Sequence, residues 1–240
     1  MTIRVIDLET TGVDPAQDRI VEIAALDIVK MNGRHEPANV RQHLINPGIP
    51  IPAQASAVHH ITDGHVATAQ TFDRVFSLYT EHNDDRLILV AHNAGFEREF
   101  LTQPLEEREV IVDWVCTYKV ALRVWPDLPS HSNQFLRYHL GFIDPFGIPS
   151  GRIHAHRALG DCYVTGCIFL ALLQRASFAD MLTWSAEPAL YTSFRFGKHK
   201  GVRFDAVPRD YLEWIVNKSD MDDDVKFSAR HWLTAAKVTA

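Results

Sequence analysis

The 240-residue sequence predicts an α/β protein: a mixed five-stranded sheet with helices on both faces, followed by a small α+β C-terminal module. Three observations carry this reading. Residues 3–12, 19–30 and 40–45 read as sequential strands joined by short turns, the pattern of an antiparallel meander. Residues 87–91 (LILVA) and 110–114 are short apolar runs, each followed by helical spacing, as in parallel strand–helix units. Residues 176–189 then change in character, and the final segment carries turn and helix signals of its own.

The first strand, IRVIDLETTG, rests on Ile3, Val5, Ile6 and Leu8 and ends in a Thr-Thr-Gly turn. Asn32-Gly33 is a strong hairpin signal between the second and third strands. Residues 51–63 open with Pro and read as a helical turn leading to a His-rich loop, and the spacing of Phe72, Val75, Phe76 and Tyr79 predicts a helix over 71–81. Helices are further expected through Phe96, Phe100 and Leu101, over 116–125, over 133–140 and over 157–174. Pro126, Pro129 and Ser130 mark one loop, and the Pro- and Gly-rich residues 144–153 another. The expected organisation is a main domain over 1–177, a linker over 178–189, and a module over 190–240 made of a short strand pair and two helices.

A hydrophobic fraction of 46% and a charged fraction of 22% are those of an ordinary soluble globular protein. Cys116, Cys162 and Cys167 are too few and too irregularly spaced for a disulfide framework, which suits a reducing compartment. The N-terminal residues lack the apolar core of a signal peptide, and no apolar run approaches the ~20 residues of a membrane span. These features point to a cytoplasmic protein. The net charge of −6 means that any nucleic-acid binding would depend on a local basic patch and on metals.

The chemistry-bearing residues begin with Asp7 and Glu9. Alternate residues of a strand share a face, so the two acids project side by side from an apolar frame. Such a pair either reaches water at a strand end or holds a hard divalent cation. Glu97, in HNAGFEREF after a buried strand, either points back over the sheet edge or simply favours the helix N-terminus electrostatically. Asp161, in IHAHRALGDC, falls on an otherwise apolar helix face, where an acid is costly without a partner. His154 and His156 flank that helix start, and an imidazole suits proton transfer near neutral pH. Periodicity favours His154, while a loop position would bring His156 over the same place. The absence of paired Cys/His spacing argues against zinc.

Taken together, Asp7-x-Glu9 with Thr10, Thr11 and Gly12, then His92-Asn93-Ala94-x-Phe96-Glu97, then His156-Arg157-Ala158-x-x-Asp161, resemble the motifs of the DEDDh 3′–5′ exonucleases, which are built on the ribonuclease H-like fold. Further similarities are Val58-His59-His60-Ile61-Thr62, Cys116-Thr117, Trp125-Pro126 and residues 194–201. The resemblance implies two-metal hydrolysis of a phosphodiester with Mg²⁺ or Mn²⁺. It assigns Asp7, Glu9, Glu97 and Asp161 to the metals and His156 to the general base, with release of 5′-mononucleotides. It further implies that Leu8, Thr10, Thr11 and Gly12 pack against the terminal nucleotide, with His60 and Phe96 as weaker candidates; core packing is the alternative role for Phe96. The implied partner is DNA, as single strands or 3′ ends of duplexes, with short RNA as the alternative; the oligomeric state stays open, a homodimer included. One position departs from the family pattern, which has Asp where this chain has Glu97. The added methylene moves the carboxylate, and Mg²⁺ is demanding about its octahedral shell. An impaired metal site would leave a non-catalytic nucleic-acid binding protein. In the module, Arg195, Lys198, Lys200 and Arg203 interleave with aromatics, as on a surface that tracks a nucleic-acid backbone.

Overall fold

The computed structural model of the chain describes residues 1–238. Five strands form one sheet in the order β3-β2-β1-β4-β5: β1 (Thr2–Thr10), β2 (Ile20–Met31), β3 (Arg34–Leu44), β4 (Leu87–Ala91) and β5 (Val112–Cys116). The first three pair antiparallel as the meander predicts, and β4 and β5 add parallel to β1 and to each other. Four short helices lie between β3 and β4: α1 (Ala53–His59), α2 (Asp63–Val66), α3 (Phe72–Val75) and α4 (Ser77–Thr80). Then come α5 (Gly95–Glu106) after β4, α6 (Thr117–Val124) after β5, α7 (Asn133–His139), α8 (Ala158–Leu173), α9 (Phe178–Ala186), α10 (Arg209–Lys218) and α11 (Asp223–Val238).

The pleat of β1 divides the core in two. Val5 joins Val90, Val115, Val120, Leu136 and Ile168 on the face covered by α6, α7 and α8. Ile6 and Leu8 turn the other way, toward Val75, Leu89 and Leu101 under α3 to α5. Helix α8 is buried around most of its circumference, as expected of a helix apolar on every side. Among the described residues, no single helix is long and apolar enough to cross a membrane.

Four expectations need correction. Strand β3 starts at Arg34 rather than at residue 40, because it is an outer strand with polar, exposed residues and Pro37, so its early half lacks an apolar signal. The helix expected over 71–81 is two single turns, α3 and α4, meeting at Phe76. The expected linker over 178–189 is mostly helix α9. Ser177 caps it by accepting from the Asp180 amide, Met181 is fully buried in the main core, and Ser185 Oγ accepts from the Cys116 amide of β5 at 2.8 Å. Finally, among the described residues the module's expected strand pair is a single bridge between Ser193 and Arg203, with short turns at Gly197–His199 and Phe204–Ala206. The module has its own apolar cluster, including Phe194, Phe204, Leu212, Ile215 and Val225. It docks on the main domain where Thr192 Oγ1 donates to the Pro126 carbonyl at 2.6 Å. Residues 239 and 240 of that expected module lie outside the described residues.

Candidate active site

The site forms at the end of β1, where the pairing with β2 shifts register between Glu9 and Thr10. Such a bulge bends the strand and re-aims its side chains. Asp7 and Glu9 are half-buried on the α8 face, and Asp161 reaches them from the first turn of α8. One ligand atom from each of these three carboxylates lies within 4.8 Å of the other two. Asp161 is aimed by local structure. His156 has a left-handed backbone (φ 57°) just ahead of the helix, and its amide donates to Asp161 Oδ2 at 2.8 Å. Gln134 Nε2, from α7, donates to Oδ1 at 2.7 Å. Gly160 is required here, since a Cβ would lie 2.4 Å from the His154 carbonyl oxygen.

The fourth acid arrives from the opposite layer. Glu97 sits in the first turn of α5, only 3% exposed, and its Oε2 has no hydrogen-bond partner among the described residues. An orphaned carboxylate oxygen in a buried position is costly. Burial, Asp161, Glu97, Glu9 and Glu22, in that order, raise the Asp7 carboxyl well above its ordinary range. Burial, then Asp161 and Glu22, push Glu9 up to about 8, with Arg157 opposing. Burial and then Glu9 push Glu97 to about 8. Burial also raises Asp161, against the His156 amide and Gln134. Acids driven this far up by burial and by one another fit a cation as the missing partner, and a donor set made only of oxygens suits a hard divalent ion.

Sequence reasoning missed the residues that brace this cluster. Glu22 is fully buried beside Glu9 on β2. It accepts from Arg157 Nη2 at 2.6 Å and Nε at 3.0 Å, from the Ala158 amide at 2.9 Å and from Gln42 Nε2 at 2.7 Å. This pair ties the start of α8 to the sheet. The available signal was an acid inside the apolar run of β2.

The other predicted residues separate into groups. His156 and His154 are both exposed; His156 lowers the Asp161 carboxyl electrostatically, so it lies within reach of the acids. Leu8 is buried on the opposite face of β1, a direct result of the two-residue period, so its side chain belongs to the core and only its backbone can border the carboxylates. Thr10 and Thr11 are buried too. Thr10 Oγ1 donates to the Gly12 carbonyl, and Thr11 Oγ1 donates to Asp18 Oδ1 at 2.9 Å and accepts from the Arg19 amide at 3.0 Å. Gly12 serves this loop, because a Cβ there would meet Asp18 Oδ2 at 2.3 Å. His60 is exposed at the left-handed end of α1 (φ 62°), and the histidine that touches the site turn is instead His59. His59 is buried, accepts from the Ile61 amide at 3.0 Å and donates from Nε2 to the Thr10 carbonyl at 3.2 Å. Phe96 is half-buried against Phe100, with ring centroids 5.0 Å apart. His92 is held neutral by burial, its pKa pushed down to about 4; Nε2 donates to the His131 carbonyl at 2.9 Å while Nδ1 bonds Thr117 Oγ1. Arg195, Lys198, Lys200 and Arg203 are all exposed.

A mixed sheet that presents clustered carboxylates at the end of its central strand offers an all-oxygen site for a hard divalent cation. Comparison with known proteins makes this specific: the family model described as Exonuclease matches residues 5–169, and the chain belongs to that family. The chain is 34% identical to Exodeoxyribonuclease 10 of Escherichia coli (strain K12), over 96% of this chain and 98% of that protein. Among solved structures, Exonuclease X in complex with 5′ overhanging duplex DNA matches with a TM-score of 0.60 and 31% identity, over 77% of this chain and 99% of that one. The nuclease domain of 3′hExo, described as a DEDDh family member bound to rAMP, shares the fold at a TM-score of 0.55 and 18% identity, over 72% and 92% of the two chains. The resemblance drawn from the three motifs is thus borne out.

Proposed function

We propose that this exonuclease is a metal-dependent 3′–5′ exodeoxyribonuclease, hydrolysing DNA from the 3′ end to release 5′-mononucleotides. The observation that carries the reading is the convergence of Asp7, Glu9 and Asp161 within 4.8 Å, with the unpartnered, buried Glu97 beside them. These four acids would hold two Mg²⁺ or Mn²⁺ ions. Ions so held supply activation of the attacking water and neutralisation of the leaving oxygen.

The chain's own residues do the rest. His156, exposed at the entrance to α8 with its amide fixed on Asp161, takes the proton from the attacking water. Gln134 and the Glu22–Arg157 pair keep Asp161 and Glu9 in register, and His59 steadies the turn at Thr10. Backbone around 10–12 borders the place of the terminal nucleotide, since the threonine hydroxyls are committed to the loop. The choice of DNA rests on relatives named as an exodeoxyribonuclease and as an exonuclease in complex with DNA.

The test is incubation of 5′-labelled DNA and RNA oligomers of one sequence with Mg²⁺, Mn²⁺ or EDTA. The expected result is a ladder descending from full length on DNA, absent in EDTA. Faster shortening of RNA would move the substrate assignment. No cleavage by this chain or by its Glu97→Asp variant would make it a binding protein.

A further inference from the structure

We infer that the groove between the C-terminal hairpin and the loop before α7 is the track for the single strand leading away from the catalytic carboxylates, toward its 5′ side. The groove encloses about 710 Å³ and is lined by Tyr118, Ser130, Ser132, Tyr191, Arg195 and Lys200, among others. That volume lies within the range of ordinary ligand sites.

Charge sets this groove apart on a chain of net charge −6. Asp127 also lines it, but its carboxylate is taken by Arg203 Nη1 at 2.7 Å, and Arg203 is further engaged by Asp205 at 3.0 Å. Arg203 therefore offers little to a ligand. Arg195 and Lys200 have no carboxylate partner among the described residues. Arg195 is held instead by neutral groups: its guanidinium lies 4.4 Å from the Tyr191 ring centroid and donates to the Tyr118 hydroxyl. Aromatic faces position the cation without neutralising it. A pre-placed cation, a second exposed one and a guanidinium–tyrosine stack are what a backbone-tracking, base-stacking surface needs.

Continuity with the catalytic pocket names the occupant. Ser132, in the groove, is two residues from Gln134, which bonds Asp161, so their Cα atoms are at most about 7 Å apart. The neighbouring His131 carbonyl accepts from His92, at the start of the segment that carries Glu97. A strand whose 3′ end lies at the carboxylates leaves over this loop. This inference rests on the nuclease reading, and the two can fail separately.

The experiment measures anisotropy of a fluorescein-labelled 20-nucleotide DNA strand in EDTA, where no metal-dependent cleavage occurs, over a range of salt. The full chain is compared with Lys200→Ala, Arg195→Ala/Lys200→Ala, and a charge-matched control, Lys30→Ala/Arg34→Ala, on the far hairpin. The double variant is expected to bind about tenfold more weakly. It should also lower the slope of log affinity against log salt by about 1.4, at roughly 0.7 per phosphate contact on a single strand. The control should match the wild type. Lys200 has an exposed side chain, so Lys200→Ala alone, expected to lower the slope by about half as much, keeps the test valid if the double variant misfolds. An unchanged slope in the Lys200 variant, or equal loss in the control, overturns the groove assignment. So does displacement of the strand by poly-aspartate at equal charge concentration, which would indicate an acidic protein as occupant. Groove-dependent binding without any cleavage in the ladder assay overturns the nuclease reading alone.

Discussion

The two charged regions of this molecule are built on opposite terms. In the carboxylate pocket, four acids from one strand and two helices are pressed together, largely buried, with one oxygen left without a hydrogen-bond partner among the described residues. In the C-terminal hairpin, the basic groups are exposed: Arg203 rests on two aspartates, Arg195 on two tyrosines and Lys198 4.9 Å from the Tyr211 ring centroid, while Lys200 has no carboxylate partner among the described residues. The pocket holds its like charges largely out of water, where they are costly, whereas the hairpin leaves its cations in water, where an unpaired charge costs little. The first should therefore dominate chemistry and pH behaviour, and the second should tune affinity and salt dependence.

The sharpest way to break this contrast is Asp7→Asn. Losing a carboxylate at the centre of the cluster should lower DNA hydrolysis by more than about 10³-fold, several kcal/mol of transition-state stabilisation, in a single-turnover assay. A smaller loss would mean that the acids are not the reaction centre. Next, His156→Ala should cost about 10²- to 10⁴-fold, the usual worth of a general base, while His154→Ala should leave turnover near wild type. The reverse pattern would assign the proton transfer to the other histidine. Gln134→Ala should weaken metal affinity by about 10- to 100-fold, read by calorimetric titration with Mn²⁺, because Asp161 loses an orienting donor.

The fourth prediction concerns pH. The folded-state pKa values of Glu9 and Glu97, near 8, lie above their unfolded values near 4.5. Between those limits the folded protein holds more protons than the unfolded chain, so stability falls as pH rises. The melting temperature in EDTA should drop from pH 6.5 to pH 8, above the range in which the buried His92 adds stability with rising pH, and saturating Mg²⁺ should reduce that drop. A rise over the same window would contradict the account of buried, mutually repelling acids in the pocket. The smallest effect belongs to the hairpin: Arg203→Ala should destabilise by less than about 1 kcal/mol in urea unfolding, because both of its ion pairs are exposed.

How much of this was legible in the sequence varied with the range of the interaction. Asp7 and Glu9 could be placed on one face because strand periodicity is local, and Asp161 stood out as an acid on an apolar helix. The choice between His154 and His156 could not be made from helical spacing, because the turn that brings the His156 amide to Asp161 depends on a left-handed residue outside the helix. The Glu22–Arg157 brace spans 135 residues, and no local pattern announces such a contact. Leu8 shows a local pattern at work, since strand alternation sends its side chain to the core while its neighbours Asp7 and Glu9 face the pocket. Helix α9 was overlooked although Ser177 and Asp180 carry its capping signature and Met181 its apolar anchor.

That last helix has a practical corollary for anyone shortening the chain. Cutting after residue 177, where composition changes, would unseat Met181 and strip the Ser185 hydroxyl from the Cys116 amide. It would also bare β5, the terminal strand on that side of the sheet, whose unpaired backbone groups are then a template for intermolecular strand addition. A shortened chain that keeps β5 covered should end beyond Glu187, whose carbonyl accepts from Lys119 Nζ at 2.6 Å and fastens the far end of the helix.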